Sequence, residues 1–165
     1  MRDTHYFLET YLANFLKAYF TIKPIGIIRK AAFLMRLDED LWREPDIQVI
    51  LGDNQQNLKS TYMDGAADIC IEVVSPESDA RDHGDKFTEY EKYGVKEYWI
   101  IDPVRKQATF HRLSDEKIYQ RQETSEYYQT PLLPGLHLHV PTLWQSPLSD
   151  IIQTVKAVQE MLAES

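Results

Sequence analysis

Apolar positions along the chain fall into blocks of helical and of strand period. Over residues 5–20, Leu8, Leu12, Phe15, Leu16 and Tyr19 recur at three- and four-residue spacing and predict an amphipathic helix. Pro24 and Gly26 follow it and end it. Residues 25–36 read as an extended segment. The β-branched runs 46–51 (DIQVIL) and 68–74 (DICIEVV) predict two short strands. The polar stretch Gly52–Gly65 lies between them, so the simplest connection is an antiparallel hairpin with a long loop. Ser75-Pro76 stops the second strand, because proline has no N–H to give to a ladder. Residues 80–93 then predict a helix, capped by Ser78 or Asp79 and stopped by Gly94. Residues 97–102 (EYWIID) form a strand directly after it. A strand–helix–strand of this length is a crossover, so 68–74 and 97–102 should be parallel neighbours. A hairpin over 106–113 and 117–122 and a short strand over 136–141 come next. Ser146-Pro147 opens a final helix, in which Leu148, Ile151, Ile152, Val155, Val158, Met161 and Leu162 share one face. The sum is an α/β fold: a mixed β-sheet flanked by helices, with one parallel crossover.

Composition narrows the class. The chain has 165 residues, 43% hydrophobic and 27% charged, which fits one folded domain spanning 1–165 and is too apolar for a disordered chain. A single cysteine, Cys70, excludes an internal disulfide and any multi-cysteine metal site. No apolar run is long enough to span a membrane, and the first residues lack the basic start and small-residue cleavage site of a signal peptide. A cytoplasmic location is the expectation. Eighteen Lys and Arg face 26 Asp and Glu, a formal charge of −8, which argues against coating nucleic acid by bulk electrostatics. A local nucleic-acid site is still allowed, since salt screens charges beyond about 8 Å.

Candidate chemistry gathers at three residues. Asp46 opens the first hairpin strand, Glu72 lies near the end of the second, and Lys86 sits on the helix that follows. A loop roughly symmetric about Gln56–Met63 puts Asp46 about opposite Val73, beside Glu72, and sends Asp68 to the far end, opposite Leu51. Two carboxylates converging at strand ends make a hard-oxygen site for Mg²⁺ or Mn²⁺. Such an ion polarises a phosphoryl oxygen and acidifies a bound water. Lys86, on one helix face with Asp82, Tyr90 and Tyr93, is placed to steady negative charge developing on phosphorus. Asp46, Glu72 and Lys86 alone carry net −1, so phosphate binding there should need the metal.

Simpler readings stand beside this one. Asp46 taken alone caps a strand entry, and Glu72 taken alone is an ion-paired strand residue. Asp68 is expected to be a structural carboxylate. Ser75 has no nucleophile elbow around it and is expected to bond backbone at the strand-to-helix turn. Tyr90 and Tyr93 either pack or touch a sugar–phosphate backbone. Arg105, Lys106, His111 and Arg112 form a small basic cluster that either tracks phosphates or is the solvent face of a hairpin. His137 and His139 share a strand face and read as solvated or partner-facing rather than as a metal pair.

The runs PDIQVIL, ADICIEVVSPES and DHGDKFTEYEKYGVKEYWIIDP resemble a large bacterial family of restriction-endonuclease-like proteins, grouped with the PD-(D/E)XK nuclease superfamily. The likeness spans roughly residues 5–145 and is densest from Pro45 to Pro103. The resemblance implies a restriction-endonuclease-like fold, with the active-site acids at Asp46 and Glu72 and the lysine at Lys86. The superfamily's usual lysine position, two residues after the strand acid, holds Val74, so the resemblance moves that role to the helix. Many superfamily members add an acid from the first helix; Glu9 is the only carboxylate in the predicted 5–20 helix. Family members begin with a glutamate-bearing hairpin, and the sequence here begins at the helix. The implied activity is metal-dependent hydrolysis of DNA phosphodiesters, with Mg²⁺ or Mn²⁺ on Asp46 and Glu72. Double-strand cutting needs two sites, so a homodimer is expected. The alternative is a catalytically inactive nuclease-fold binding or assembly module.

Overall fold

The computed structural model describes residues 2–164. The chain runs α1 (Arg2–Ile22), β1 (Gly26–Lys30), β2 (Leu34–Asp38), β3 (Leu41–Arg43), β4 (Ile47–Leu51), β5 (Tyr62–Asp64), β6 (Ile69–Val73), α2 (Asp79–His83), α3 (Asp85–Tyr93), β7 (Glu97–Asp102), β8 (Gln107–Leu113), β9 (Tyr119–Arg121), β10 (Tyr127–Tyr128), β11 (Leu138–His139) and α4 (Ile151–Ala163). The central sheet has six strands in the order β1-β4-β6-β7-β8-β9. Its β6–β7 pair is parallel, as the crossover predicts, and its other pairs are antiparallel. A small sheet, ordered β3-β2-β5, adds a second parallel pair, β2 with β5, that the hydrophobic pattern did not announce.

β6 is buried along its whole length because both faces of the sheet are covered. Ile69, Ile71 and Val73 face the layer of α1 and α4, together with Trp99 and Ile101 of β7. Cys70 points the other way, into a core with Tyr90, Tyr98 and Ile100 beneath α3 and the small sheet. Cys70 is therefore a buried free thiol.

Four elements differ from the sequence reading. The extended segment 25–36 is two strands in different sheets. The long hairpin loop carries a short 3₁₀ turn, Gly52–Asn57, and β5. The helix over 80–93 is broken into α2 and α3 at Gly84, where a Cβ would come within 2.7 Å of the Ala80 carbonyl oxygen. Gly94 ends α3 in the left-handed conformation, with φ of +87°. The last helix does not open at Ser146-Pro147 but at Ile151. There the Gln153 amide donates to Asp150 Oδ1 and the Asp150 amide to Gln153 Oε1, a reciprocal cap. Starting later turns Ile151 and Ile152 out to solvent, while Thr154 and Val158 are buried.

A candidate metal-and-phosphate site

The site forms where β4, β6 and the α2–α3 corner meet. The pairing Ile47↔Ile71 extends one step to set Asp46 opposite Glu72. The sequence reading was one residue out, because a long loop leaves its centre, and so the register, unfixed by the sequence. Asp46 Oδ2 accepts the Val73 amide at 2.7 Å and lies 3.3 Å from His5 Nε2. Glu9, one helical turn after His5 on α1, brings a second carboxylate to the same place. Ligand atoms of His5, Glu9 and Asp46 all lie within 4.8 Å of one another. Lys30 Nζ stands 3.9 Å from Glu9.

Glu72 shares the Cys70 face of β6 and is only 3% exposed. Lys86 Nζ donates to its Oε2 at 2.8 Å and lies 2.8 Å from Asp82 Oδ1. Asp82 is fully buried, and its other oxygen accepts from the Ser78 hydroxyl at 2.7 Å. Tyr90 is fully buried and directs its hydroxyl at Glu72 Oε1, 3.4 Å away. The helix break at Gly84 keeps Asp82 and Lys86 at i, i+4 spacing yet on separate helices that both turn toward the end of β6.

These contacts set the electrostatics. Burial pushes the Glu72 carboxyl up to about 8, and the neighbouring Asp46 charge adds to it, against the pull of Lys86. Burial disfavours the Lys86 ammonium, but Glu72 and Asp82 outweigh that and hold its pKa above the usual lysine value. Glu9 is raised, first by burial and then by Asp46. His5 is raised chiefly by its hydrogen bond to Asp46. Two carboxylates, Glu72 and Asp82, thus hold Lys86, while Asp46 and Glu9 gather beside His5; His5, Trp42, Arg43, Asp46, Glu72, Arg81 and Lys86 help to line an open polar cleft of about 470 Å³.

The other sequence candidates go elsewhere. Asp68 sits at the far end of the strand pair, where Oδ2 accepts the Leu51 amide at 2.7 Å and Asn54 Nδ2 at 2.9 Å, a loop anchor. The Ser75 hydroxyl meets the Ser78 hydroxyl rather than backbone, while its carbonyl accepts the Ser78 and Asp79 amides. Tyr90 is too buried to touch a nucleic acid, and Tyr93 leaves the group to donate to Asp38 Oδ2. The basic run 105–112 is not one patch. Arg105 pairs with Asp79 and Asp102, Arg112 reaches the buried Glu97, and His111 packs edge-on against Phe87. The His139 ring is held between Glu126 and Thr142, with Tyr127 beside it. Sequence reasoning missed His5 and gave Asp82 no part in the site. Their signals were the i, i+4 pairs His5–Glu9 and Asp82–Lys86.

Comparison with known proteins agrees with this architecture. A solved structure described as "a putative nuclease belonging to DUF820", from Anabaena variabilis ATCC 29413, superposes with a TM-score of 0.71 over 86% of this chain and 80% of that one. At 18% identity the likeness is one of fold. A search of curated proteins gives no match. The Uma2 family model, described as "Putative restriction endonuclease", matches residues 1–141, and the chain belongs to that family.

Proposed function

We propose that the protein is a divalent-metal-dependent endonuclease that hydrolyses DNA phosphodiester bonds, using Asp46, Glu72 and Lys86. The observation that carries the reading is the approach of Asp46, Glu72 and Lys86 to one another in a polar cleft, from three separate elements. The donor set fits a hard cation. Burial and the Asp46 charge raise the pKa of both Glu72 and Glu9, and a divalent ion would offset both effects. Asp46 and Glu72 would hold Mg²⁺ or Mn²⁺, with Glu9 beside them. When bound, the ion supplies Lewis-acid polarisation of the phosphate and a more acidic water.

The chain's own residues do the rest. His5 and the Val73 amide fix one oxygen of Asp46, which orients that carboxylate before substrate arrives. Asp82, itself held by Ser78, keeps the Lys86 ammonium at the cleft wall whether or not Glu72 is engaged. Lys86 then faces the equatorial oxygens of the phosphate and steadies the charge that grows there as water attacks in line. Supercoiled plasmid incubated with Mn²⁺ tests the proposal. Wild type should nick it and Glu72→Gln should not; a wild type inert with every divalent ion would favour the nuclease-fold binding module instead.

A further inference from the structure

The cleft that holds the carboxylates is lined by one large aromatic side chain, Trp42, and by few available cations. Trp42 lies on the edge strand β3 of the small sheet, lines the cleft and is 39% exposed. Its indole packs against the Tyr62 ring at 5.2 Å between centroids, and the Arg36 guanidinium stands 5.8 Å from its centre. Two anchors tie this strand pair to α3, the helix that carries Lys86. Arg43 donates to both Glu89 oxygens at 2.5 and 2.6 Å, and Tyr93 donates to Asp38 at 2.9 Å. Trp42 is therefore held at a fixed distance from Lys86 rather than carried on a free loop.

Among the lysines and arginines lining the cleft, Lys86 is paired with Glu72 and Asp82 and Arg43 with Glu89; Arg81 is exposed on α2. A protein that grips duplex DNA through its backbone draws its affinity from several Lys and Arg contacts to phosphates. This cleft offers too few, and the chain as a whole carries −8. Affinity must come from another source. A base freed from its stack supplies it, since every base presents a π-face to an aromatic ring, worth about 1–3 kcal/mol each by alanine substitution.

We propose that the cleft takes an unpaired nucleotide whose base stacks on Trp42 while Arg81 meets the adjoining phosphate, so that single-stranded or locally unpaired DNA is the substrate class. The inference rests on the nuclease reading for its chemistry and on Trp42 for its selectivity. It also removes the need for a second copy, because one strand needs one site.

Three labelled DNAs test it: a short single strand, its blunt duplex, and that duplex with a central bulge. Binding is read by fluorescence anisotropy in Ca²⁺, and cleavage in Mn²⁺. Wild type should bind and cut the single strand and the bulged duplex in preference to the blunt duplex. Trp42→Ala should weaken single-strand binding about 5- to 150-fold, and Trp42→Phe should retain most of it, which separates stacking from loss of fold. Equal binding of blunt duplex and single strand by wild type, or single-strand affinity unchanged in Trp42→Ala, overturns the inference. The two readings fail separately. Cleavage that ignores Trp42 sinks the stacking role alone; Trp42-dependent binding with no cleavage of any DNA supports it and sinks the nuclease reading.

Discussion

Glu72→Gln should make the metal-free protein more stable while ending cleavage. Glu72 is 3% exposed, and its carboxyl is raised from 4.5 to about 8 in the folded state. An acid with a raised folded pKa is penalised when ionised. The penalty is absent below the unfolded value, grows as pH rises through it, and levels off above about 8. Each tenfold change in proton affinity is worth about 1.4 kcal/mol, so the full penalty has a ceiling of about 5 kcal/mol at pH 9 and about 3 kcal/mol at pH 7. Gln keeps the volume and an oxygen for Lys86 and Tyr90, and Lys86 retains Asp82 at 2.8 Å. The variant should therefore gain about 2–4 kcal/mol over wild type at pH 9 in EDTA, roughly 5–15 °C in melting temperature for a chain of this size. Near pH 5 the two should differ by about 1 kcal/mol or less. Thermal melts in EDTA across pH 5–9 measure this. A variant no more stable than wild type at pH 9 would refute the claim that burial and Asp46 strain the Glu72 charge.

Lys86→Ala should leave divalent binding intact and slow plasmid nicking by about 10²–10³-fold, the usual effect of losing one transition-state charge partner. Asp68→Asn should nick within a few-fold of wild type, and urea melts should show a loss of about 1–2 kcal/mol as the Leu51 and Asn54 bonds weaken. His5 has its pKa raised by Asp46, so it stabilises below its unfolded value and that contribution fades as pH rises through the folded value. His5→Ala should accordingly lower the melting temperature of the metal-free protein at pH 5.5 more than at pH 9. DNA binding should rise when Mg²⁺ or Ca²⁺ is added, read by anisotropy; binding indifferent to divalent ions would place the DNA somewhere other than the carboxylate cleft.

Much of this architecture is written in local pattern. The strand 97–102 ends where β7 ends, because its apolar run is bounded by Gly94 and Pro103 and has no rival period. The crossover followed from the strand–helix–strand spacing alone. The small sheet was not legible: β3 and β5 are three residues each, too short for a period, and their apolar residues Trp42 and Met63 make sense only once packed. At the site, Asp46, Glu72 and Lys86 were visible because strand ends and a following helix must converge. Glu9 was reached only through the family resemblance, and His5 was not reached at all, because nothing local to residues 2–22 says which end of α1 will approach Asp46. The one-residue error in register reflects how weakly a long loop fixes the pairing of its flanking strands.

The central claim is that Asp46 and Glu72 hold one divalent cation, and anomalous diffraction from crystals soaked in Mn²⁺ tests it most directly. The account predicts a single strong peak with one oxygen of each carboxylate at about 2.1–2.2 Å, lost in Glu72→Gln. Peaks confined to other acidic groups, or no peak at saturating Mn²⁺ with both side chains well ordered, would contradict it.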